Sequence, residues 1–219
     1  MKVWEESVFQ DAYRAELAYV ETVLRDNLDN FIGKYPHVSE NNWYPAEKNQ
    51  LWTSSFFVGM CFLAYEHSGD AVFLKYEKEH LKSFENRLLN RVHISHDLGF
   101  LYTLSCVADY KVTGNPEGER IARMAAQMLT ERYNEKGGYI QAWGDMGIRY
   151  PNVKIIIDTM LNLPLLYWTG DPDKAEMAER HAVTASTTLI RPDYSSYHTY
   201  LMDPDTGKAV CGKTHQGHR

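Results

Sequence analysis

Three times the sequence spells nearly the same junction: Tyr65-Glu-His-Ser-Gly69-Asp70, Tyr110-Lys-Val-Thr-Gly114-Asn115-Pro116 and Tyr167-Trp-Thr-Gly170-Asp171-Pro172. Each places an aromatic residue, then Gly, then Asp or Asn, and two of the three add Pro. A glycine just past a helix end closes the helix in the left-handed conformation. The following Asp or Asn side chain caps the N-terminus of a new helix, and proline suits the first helical position, where no backbone N–H is needed. Each junction therefore ends one helix and begins the next, the signature of a tight αα-hairpin.

The two arms of each hairpin differ in pattern. The segments before the junctions, Phe56 to Tyr65, Leu98 to Tyr110 and Val153 to Trp168, are apolar around most of their circumference and are expected to be interior helices. The segments after them are amphipathic. Ile121, Met124, Ala125, Met128 and Leu129 mark one buried face, and Glu119, Arg120, Arg123 and Glu131 the wet one. Phe73, Leu81, Phe84 and Leu88 form a similar stripe. Ala175, Ala178, Ala182 and Ala185 form a small-residue face suited to close packing. A further long helix is expected from Glu5 to Leu28, with Phe9, Tyr13, Leu17, Val20 and Leu24 inward.

Inner apolar helix, turn, outer amphipathic helix, repeated, describes an all-α chain of the α/α barrel or toroid kind. An open α-solenoid for protein binding is the competing architecture. The uneven spacing of Gly69, Gly114 and Gly170 and two long inserts favour the barrel. The first insert, 134 to 150, holds Gly137-Gly138 and Gly144 and offers Tyr139 and Trp143 to a cleft. The second, Asp193 to Gly212, runs from aromatics into Asp203-Pro-Asp-Thr-Gly207 and predicts a short hairpin.

Composition narrows function more than fold. With 44% hydrophobic and 24% charged residues the chain reads as an ordinary globular protein. Its net charge of −6, from 23 basic and 29 acidic residues, and the lack of a basic stripe argue against a nucleic-acid partner. The one mildly basic stretch is the tail with Lys208, Lys213 and Arg219. Cys61, Cys106 and Cys211 are too few and too scattered for a disulfide framework or a cysteine zinc site. Met1 to Glu6 does not read as a signal peptide. The longest apolar run, near Ile155 to Trp168, is interrupted by Asp158, Asn162 and Pro164 and is too short to span a bilayer. The expectation is a reduced, cytoplasmic protein with no membrane partner.

Among residues able to carry chemistry, Asp158 comes first, because it interrupts Ile155-Ile-Ile157 and Thr159-Met-Leu161. A carboxylate among such neighbours is costly unless it is paired, hydrogen-bonded or faces a cavity. Burial would raise its pKa into the range useful for giving and taking a proton. The plainer alternative is a helical ion pair with Lys154. Asp97, in Ser95-His-Asp-Leu-Gly-Phe100, is either an N-cap or a second carboxylate at the mouth of an inner helix. Trp52 and Trp143 are candidate sugar-stacking faces, with core packing as the alternative. His96, His198 and His215 lack the spacing of a helical metal motif. No phosphate loop, zinc signature or nucleophile elbow is present, so neither metal nor cofactor is expected.

Taken in order, Trp52-Thr-Ser-Ser-Phe-Phe-Val-Gly-Met60, His96-Asp-Leu-Gly-Phe100, Asn134-Glu-Lys-Gly-Gly-Tyr-Ile-Gln-Ala-Trp143, Ile157-Asp-Thr-Met-Leu-Asn-Leu163, Ser196-Tyr-His198 and Thr214-His-Gln-Gly217 resemble the unsaturated glucuronyl hydrolases of glycoside hydrolase family 88. The resemblance implies an (α/α)6 barrel. It also implies hydration of the 4,5 double bond in the nonreducing uronate of lyase-generated glycosaminoglycan fragments. In that scheme the residue matching Asp158 protonates C4 and helps water add at C5, and the resulting hemiketal collapses to release the sugar. The residue matching Asp97 tunes Asp158 and holds substrate. The positions matching Trp52 and Trp143 stack on the sugar, and those matching His96, His198 and Gln216 bind its polar groups.

The resemblance also implies that residues 1–219 are one α/α-barrel domain, C-terminally truncated: the first half to two-thirds of the family's barrel. Inner helices without neighbours would expose apolar surface, a face for self-association, and weak or absent activity is expected of the fragment. Two other functions stay open. An unsaturated rhamnogalacturonyl hydrolase would share the barrel and the chemistry but act on pectin fragments. A catalytically inactive barrel would bind glycans or serve as an interaction module.

Overall fold

A computed structural model describes residues 6–214, and side chains from Tyr13 onward. Gln216, with His215, lies outside the described residues.

The hairpins form as the junctions predict. Gly69, Gly114 and Gly170 take φ of 72°, 76° and 71°, the left-handed region that glycine enters without steric cost. Asp70, Asn115 and Asp171 each accept a hydrogen bond from the backbone N–H two residues on. Helix α1 spans Glu6–Asn27 and α2 Ser54–Ser68. The first junction then opens into a 3-10 turn, Ala71–Leu74, before α3 at Glu77–Leu89. This is the one junction without Pro, and the new α-helix is correspondingly delayed. The second inner arm is α4 (Leu98–Tyr102), a π turn (Thr103–Val107) and α5 (Ala108–Thr113), and it returns as α6 (Pro116–Thr130). The third is α7 (Leu163–Trp168), returning as α8 (Pro172–Leu189).

Helices α2, α4 and α7 pack side by side as an inner layer, with α3 and α6 outside them and α8 against α7. The predicted outer stripes are buried: Phe84, Leu88, Ile121, Ala125 and Leu129 are each at most 2% exposed. At about 25 cal/mol per Å² of apolar surface removed from water, these faces dominate the hairpins' stability.

Two short sheets interrupt the helices. Strands β1 (Tyr133–Asn134) and β2 (Tyr139–Ile140) form a hairpin in the first insert. Strand β3 (Val153–Ile156) pairs antiparallel with β4 (Thr199–Met202), which pairs with β5 (Ala209–Lys213). The β4–β5 hairpin is the one expected in the second insert. Tyr139, Val153, Ile155, Leu189 and Met202 close a small core between this sheet and α8.

Three expectations are corrected. Val153 to Trp168 is not one inner helix but β3, a 3-10 turn at Ile157–Leu161, and α7. Pro164 has no N–H and would clash with the carbonyl of Met160, so the α-helix starts only at Leu163. The β-branched run Val153, Ile155, Ile156 pairs as a strand instead. Tyr139 is fully buried and faces no cleft. The α1 stripe is not inward. Leu24 is buried, but Tyr13, Leu17 and Val20 are exposed, as are Phe56, Met60 and Leu63 of α2; the side chain of Phe9 lies outside those described. Among the described residues nothing covers this face. No described helix is long and apolar enough to cross a membrane.

Candidate active site

The site forms where the mouth of the second hairpin meets the segment between β3 and α7. Asp97 immediately precedes α4, yet its carboxylate does not cap that helix. It accepts from the Ser95 hydroxyl at 2.9 Å while the Asp97 N–H donates back to Ser95 Oγ. This turns the carboxylate away from the helix end, so the N-cap reading fails. Asp158 sits in the 3-10 turn that follows β3, not on a helix with Lys154. The Lys154 ammonium lies over the Trp143 ring instead, 5.5 Å from its centroid, so the ion-pair reading also fails.

Between the two carboxylates lies His96, 1% exposed. Its Nε2 is 3.3 Å from Asp97 Oδ1 and 3.9 Å from Asp158 Oδ1. One ligand-type atom from each of the three residues lies within 4.8 Å of the other two. The His96 backbone N–H donates to the Ala142 carbonyl at 3.0 Å, and the Ala142 N–H donates to the Lys154 carbonyl at 2.8 Å. These bonds stitch the Asp97 loop, the Trp143 segment and β3 into one floor.

The electrostatics follow from burial. Desolvation raises the pKa of Asp97, opposed by the Ser95 hydrogen bond and by the guanidiniums of Arg87 and Arg132. Desolvation also raises Asp158, opposed by His96 and assisted by the negative charge of Asp97. Burial pushes His96 down to about 4, so its ring is neutral near pH 7. Two close carboxylates do not ionise together easily, and the second proton is held more tightly than the first.

The surroundings supply a wall for a ring-shaped ligand. Trp52, Asp97, Arg132 and Trp143 line one cleft of about 700 Å³. Trp52 is half exposed and also borders a more apolar cleft with Phe56 and Tyr44. Asp158, with 40% of its side chain exposed, does not itself line this cleft. His198 reaches the site through the β3–β4 pairing. Its carbonyl accepts from Ile157 N–H at 3.0 Å, and its ring works to lower the Asp158 pKa.

Several supporting residues escaped the sequence reading. Arg132 is 1% exposed and donates to three carbonyls: Gln141 at 2.8 Å, Ile94 at 2.9 Å and Gly144 at 3.0 Å. It therefore fixes the ends of the segment carrying Trp143 and the loop carrying Asp97. Arg87 plays a similar part, donating to Leu51 and His93 carbonyls and to Asn49. His181 of α8 accepts from Ile140 N–H at 3.0 Å and contacts the Thr159 hydroxyl beside Asp158. Asn162 accepts from Phe100 N–H at 3.1 Å. The one visible signal for Asn162 and His181 was a polar residue on an otherwise apolar or small-residue face.

A helical-hairpin barrel fold with two carboxylates raised by burial, next to a tryptophan-lined cleft, is an arrangement suited to acid–base chemistry on a ring-shaped ligand. No protein-family profile matches the chain. Individual relatives are clear. It is 41% identical over 208 residues to the unsaturated chondroitin disaccharide hydrolase of Streptococcus pneumoniae, covering 91% of this chain and 52% of that protein. It is 41% identical over 197 residues to the unsaturated glucuronyl hydrolase of Bacillus sp., covering 87% and 52%. The crystal structure of the unsaturated glucuronyl hydrolase from Streptococcus agalactiae matches all of this chain and 55% of its own, with a TM-score of 0.86 at 36% identity. By these measures the chain is homologous to the unsaturated glucuronyl hydrolases over nearly all of its own length, and it spans about half the length of the relatives it matches.

Proposed function

We propose that the protein of which this chain is all or part removes the 4,5-unsaturated glucuronic acid from the nonreducing end of lyase-generated glycosaminoglycan oligosaccharides. The observation that carries the reading is the His96–Asp97–Asp158 cluster, in which both carboxylates are held above the usual carboxylate range beside an aromatic cleft. A vinyl ether needs a proton at C4 and water at C5. One carboxylic acid held protonated, with an ionised carboxylate close by, supplies and recovers that proton.

In this reading Asp158, the more exposed of the two, gives its proton to C4 and then takes one from the water that adds at C5. The resulting hemiketal collapses and releases the rest of the sugar. Asp97 stays ionised, and its charge keeps the proton on Asp158 when substrate binds. Trp52 and Trp143 stack on sugar rings, and His198 and Gln216 bind polar groups of the substrate. His96 lies beneath the carboxylates, with 1% of its surface exposed, so we assign it to them and not to the sugar. The carboxylates sit side by side and share a histidine, an arrangement different from a pair flanking an anomeric carbon.

The named relatives support the substrate class. Two act, by name, on unsaturated chondroitin disaccharides or unsaturated glucuronyl groups. A related Streptococcus agalactiae enzyme has been solved as an Asp-to-Asn variant complexed with dGlcA-GalNAc6S. We place the protein in the reducing cytoplasm, a reading supported by three free cysteines, with the thiols of Cys61 and Cys106 pushed up to about 12 by burial.

The test is the loss of ultraviolet absorbance of an unsaturated chondroitin disaccharide, with an unsaturated pectin disaccharide alongside. Decay with the chondroitin substrate that Asp158→Asn abolishes supports the reading. Faster decay with the pectin substrate, or equal decay with and without Asp158, overturns it.

A further inference from the structure

The hydrogen-bonding capacity of a buried asparagine fixes where the proton on His96 must sit. Asn162 is 0% exposed and stands just before α7. Its Oδ1 accepts from Phe100 N–H at 3.1 Å. A backbone N–H only donates, so the amide oxygen, not the NH2, must face it. The Nδ2 group then faces His96 Nδ1 at 3.4 Å. An amide NH2 only donates, so Nδ1 must present its lone pair. A neutral imidazole carries one N–H, which leaves the proton on Nε2.

We propose that Asn162 is a positioning residue for the reaction: it fixes the Nε2–H tautomer of His96, which puts the one ring proton on the nitrogen nearest Asp97 and Asp158. The role rests on the proposed function for its catalytic meaning, but the tautomer itself does not.

Hydrogen bonding holds the Asn162 amide in this orientation, and packing holds its backbone. A Cβ added at Gly99 would come within 2.1 Å of the Asn162 Cα, so α4 presses its bare backbone onto this residue. Flipping the amide would set two donors against each other at Phe100 and strand the His96 lone pair. The charged and titratable groups around the ring come from four directions. They are Asp97 on its own loop, Asp158 from the 3-10 turn, Arg132 from the turn just before β1 and His181 from α8. Arg132 and His181 oppose a second proton on the ring, and the carboxylates favour one.

The consequence is a single buried N–H near two acids, 3.3 Å and 3.9 Å from their nearest oxygens and hydrogen-bonded to neither in this structure. It is a donor available to whichever carboxylate is ionised, without itself becoming charged. It also gives the cluster a donor where a metal would require a lone pair. His96, Asp97 and Asp158 are thereby set up for proton transfer, although their spacing would otherwise suit a cation.

The experiment is two-dimensional nitrogen-15 NMR of the histidine rings at about pH 7, comparing wild type with Asn162→Asp. Aspartate keeps an oxygen for Phe100 N–H but replaces the NH2 with a second acceptor. His96→Gln identifies the His96 signals among the nine histidines. The expected result is a neutral Nε2–H pattern for His96 in wild type and an Nδ1–H or imidazolium pattern in Asn162→Asp. An Nδ1–H or imidazolium ring in wild type overturns the proposal even where the variant fails to fold, and so does an unchanged tautomer in a folded variant. With the unsaturated disaccharide, Asn162→Asp is expected to lower kcat about tenfold or more with KM little changed. Absence of turnover by wild type would count against the proposed function alone, because the ring tautomer is read without substrate.

Discussion

The second hairpin and the segment from Arg132 to Asn162 lie side by side and are built on opposite principles. In the hairpin, α5 ends at a left-handed Gly114, Asn115 caps the next helix, and α6 buries Ile121, Ala125 and Leu129 on one stripe. Every step is local, within one or two turns of chain. In the segment, a short β1–β2 hairpin is local, but the bonds that hold the site are not. Arg132 reaches back 38 residues to the Ile94 carbonyl, Ile140 N–H reaches forward 41 residues to His181, and Asn162 reaches back 62 residues to Phe100. The hairpin supplies stability with few demands on the rest of the fold. The segment spends its polar groups on holding two acids and one histidine in place.

If that contrast is right, substitutions in the segment have large effects on chemistry, and those in the junctions small effects on stability. The largest is expected from Asp158→Asn. Removing a group that both gives and takes the proton should lower turnover of the unsaturated disaccharide by about 10²–10⁴-fold, with the circular dichroism spectrum unchanged.

Next is Arg132→Met. It leaves one buried and two partly buried carbonyls without their donor and should cost on the order of 3 kcal/mol in urea denaturation. It also removes a positive charge that favours ionised Asp97, so the Asp97 pKa should rise further, read as an upward shift of its carboxyl titration by NMR.

Gly114→Ala and Asn115→Ala probe the hairpin. Each should cost about 1 kcal/mol, the first from forcing a Cβ into the left-handed region and the second from losing the cap. Catalysis should be untouched. A loss of turnover beyond the loss of folded protein would blur the distinction between the two regions.

The smallest effect tests the electrostatics. Burial raises the Asp158 pKa in the folded state above its unfolded value of about 3.9. Its contribution to stability is therefore full below that unfolded value and is lost as pH rises through the folded one. Asp158→Asn should accordingly gain stability relative to wild type at neutral pH and show no such gain near about pH 3. Partial exposure of the side chain keeps the gain small.

The same contrast decides what was legible in the sequence. The helix ends at Gly69, Gly114 and Gly170, the outer stripes and the β4–β5 hairpin follow from short-range rules, and each appears where expected. The path from Val153 to Trp168 was misread because an apolar run fits both a buried helix and a buried strand, and Pro164 was the better guide. The inward stripe assigned to α1 failed because amphipathic spacing shows a face but not what covers it. At the site, Asp158 stood out as a carboxylate in an apolar run, Asp97 as an acid at the mouth of an inner helix and His96 only through the family resemblance, and the structure brings the three together. Arg132, Asn162 and His181 did not stand out, since what they do depends on carbonyls, amides and rings brought close by the fold from distant segments.

The central claim is that the carboxylate pair hydrates a vinyl ether and does not attack an anomeric carbon. The direct test is to run the reaction in heavy water and examine the released uronate early by NMR. Hydration predicts one deuterium delivered to C4, on one face of the ring, and no delivery with Asp158→Asn. A released uronate with its double bond intact and no deuterium at C4 would contradict the account.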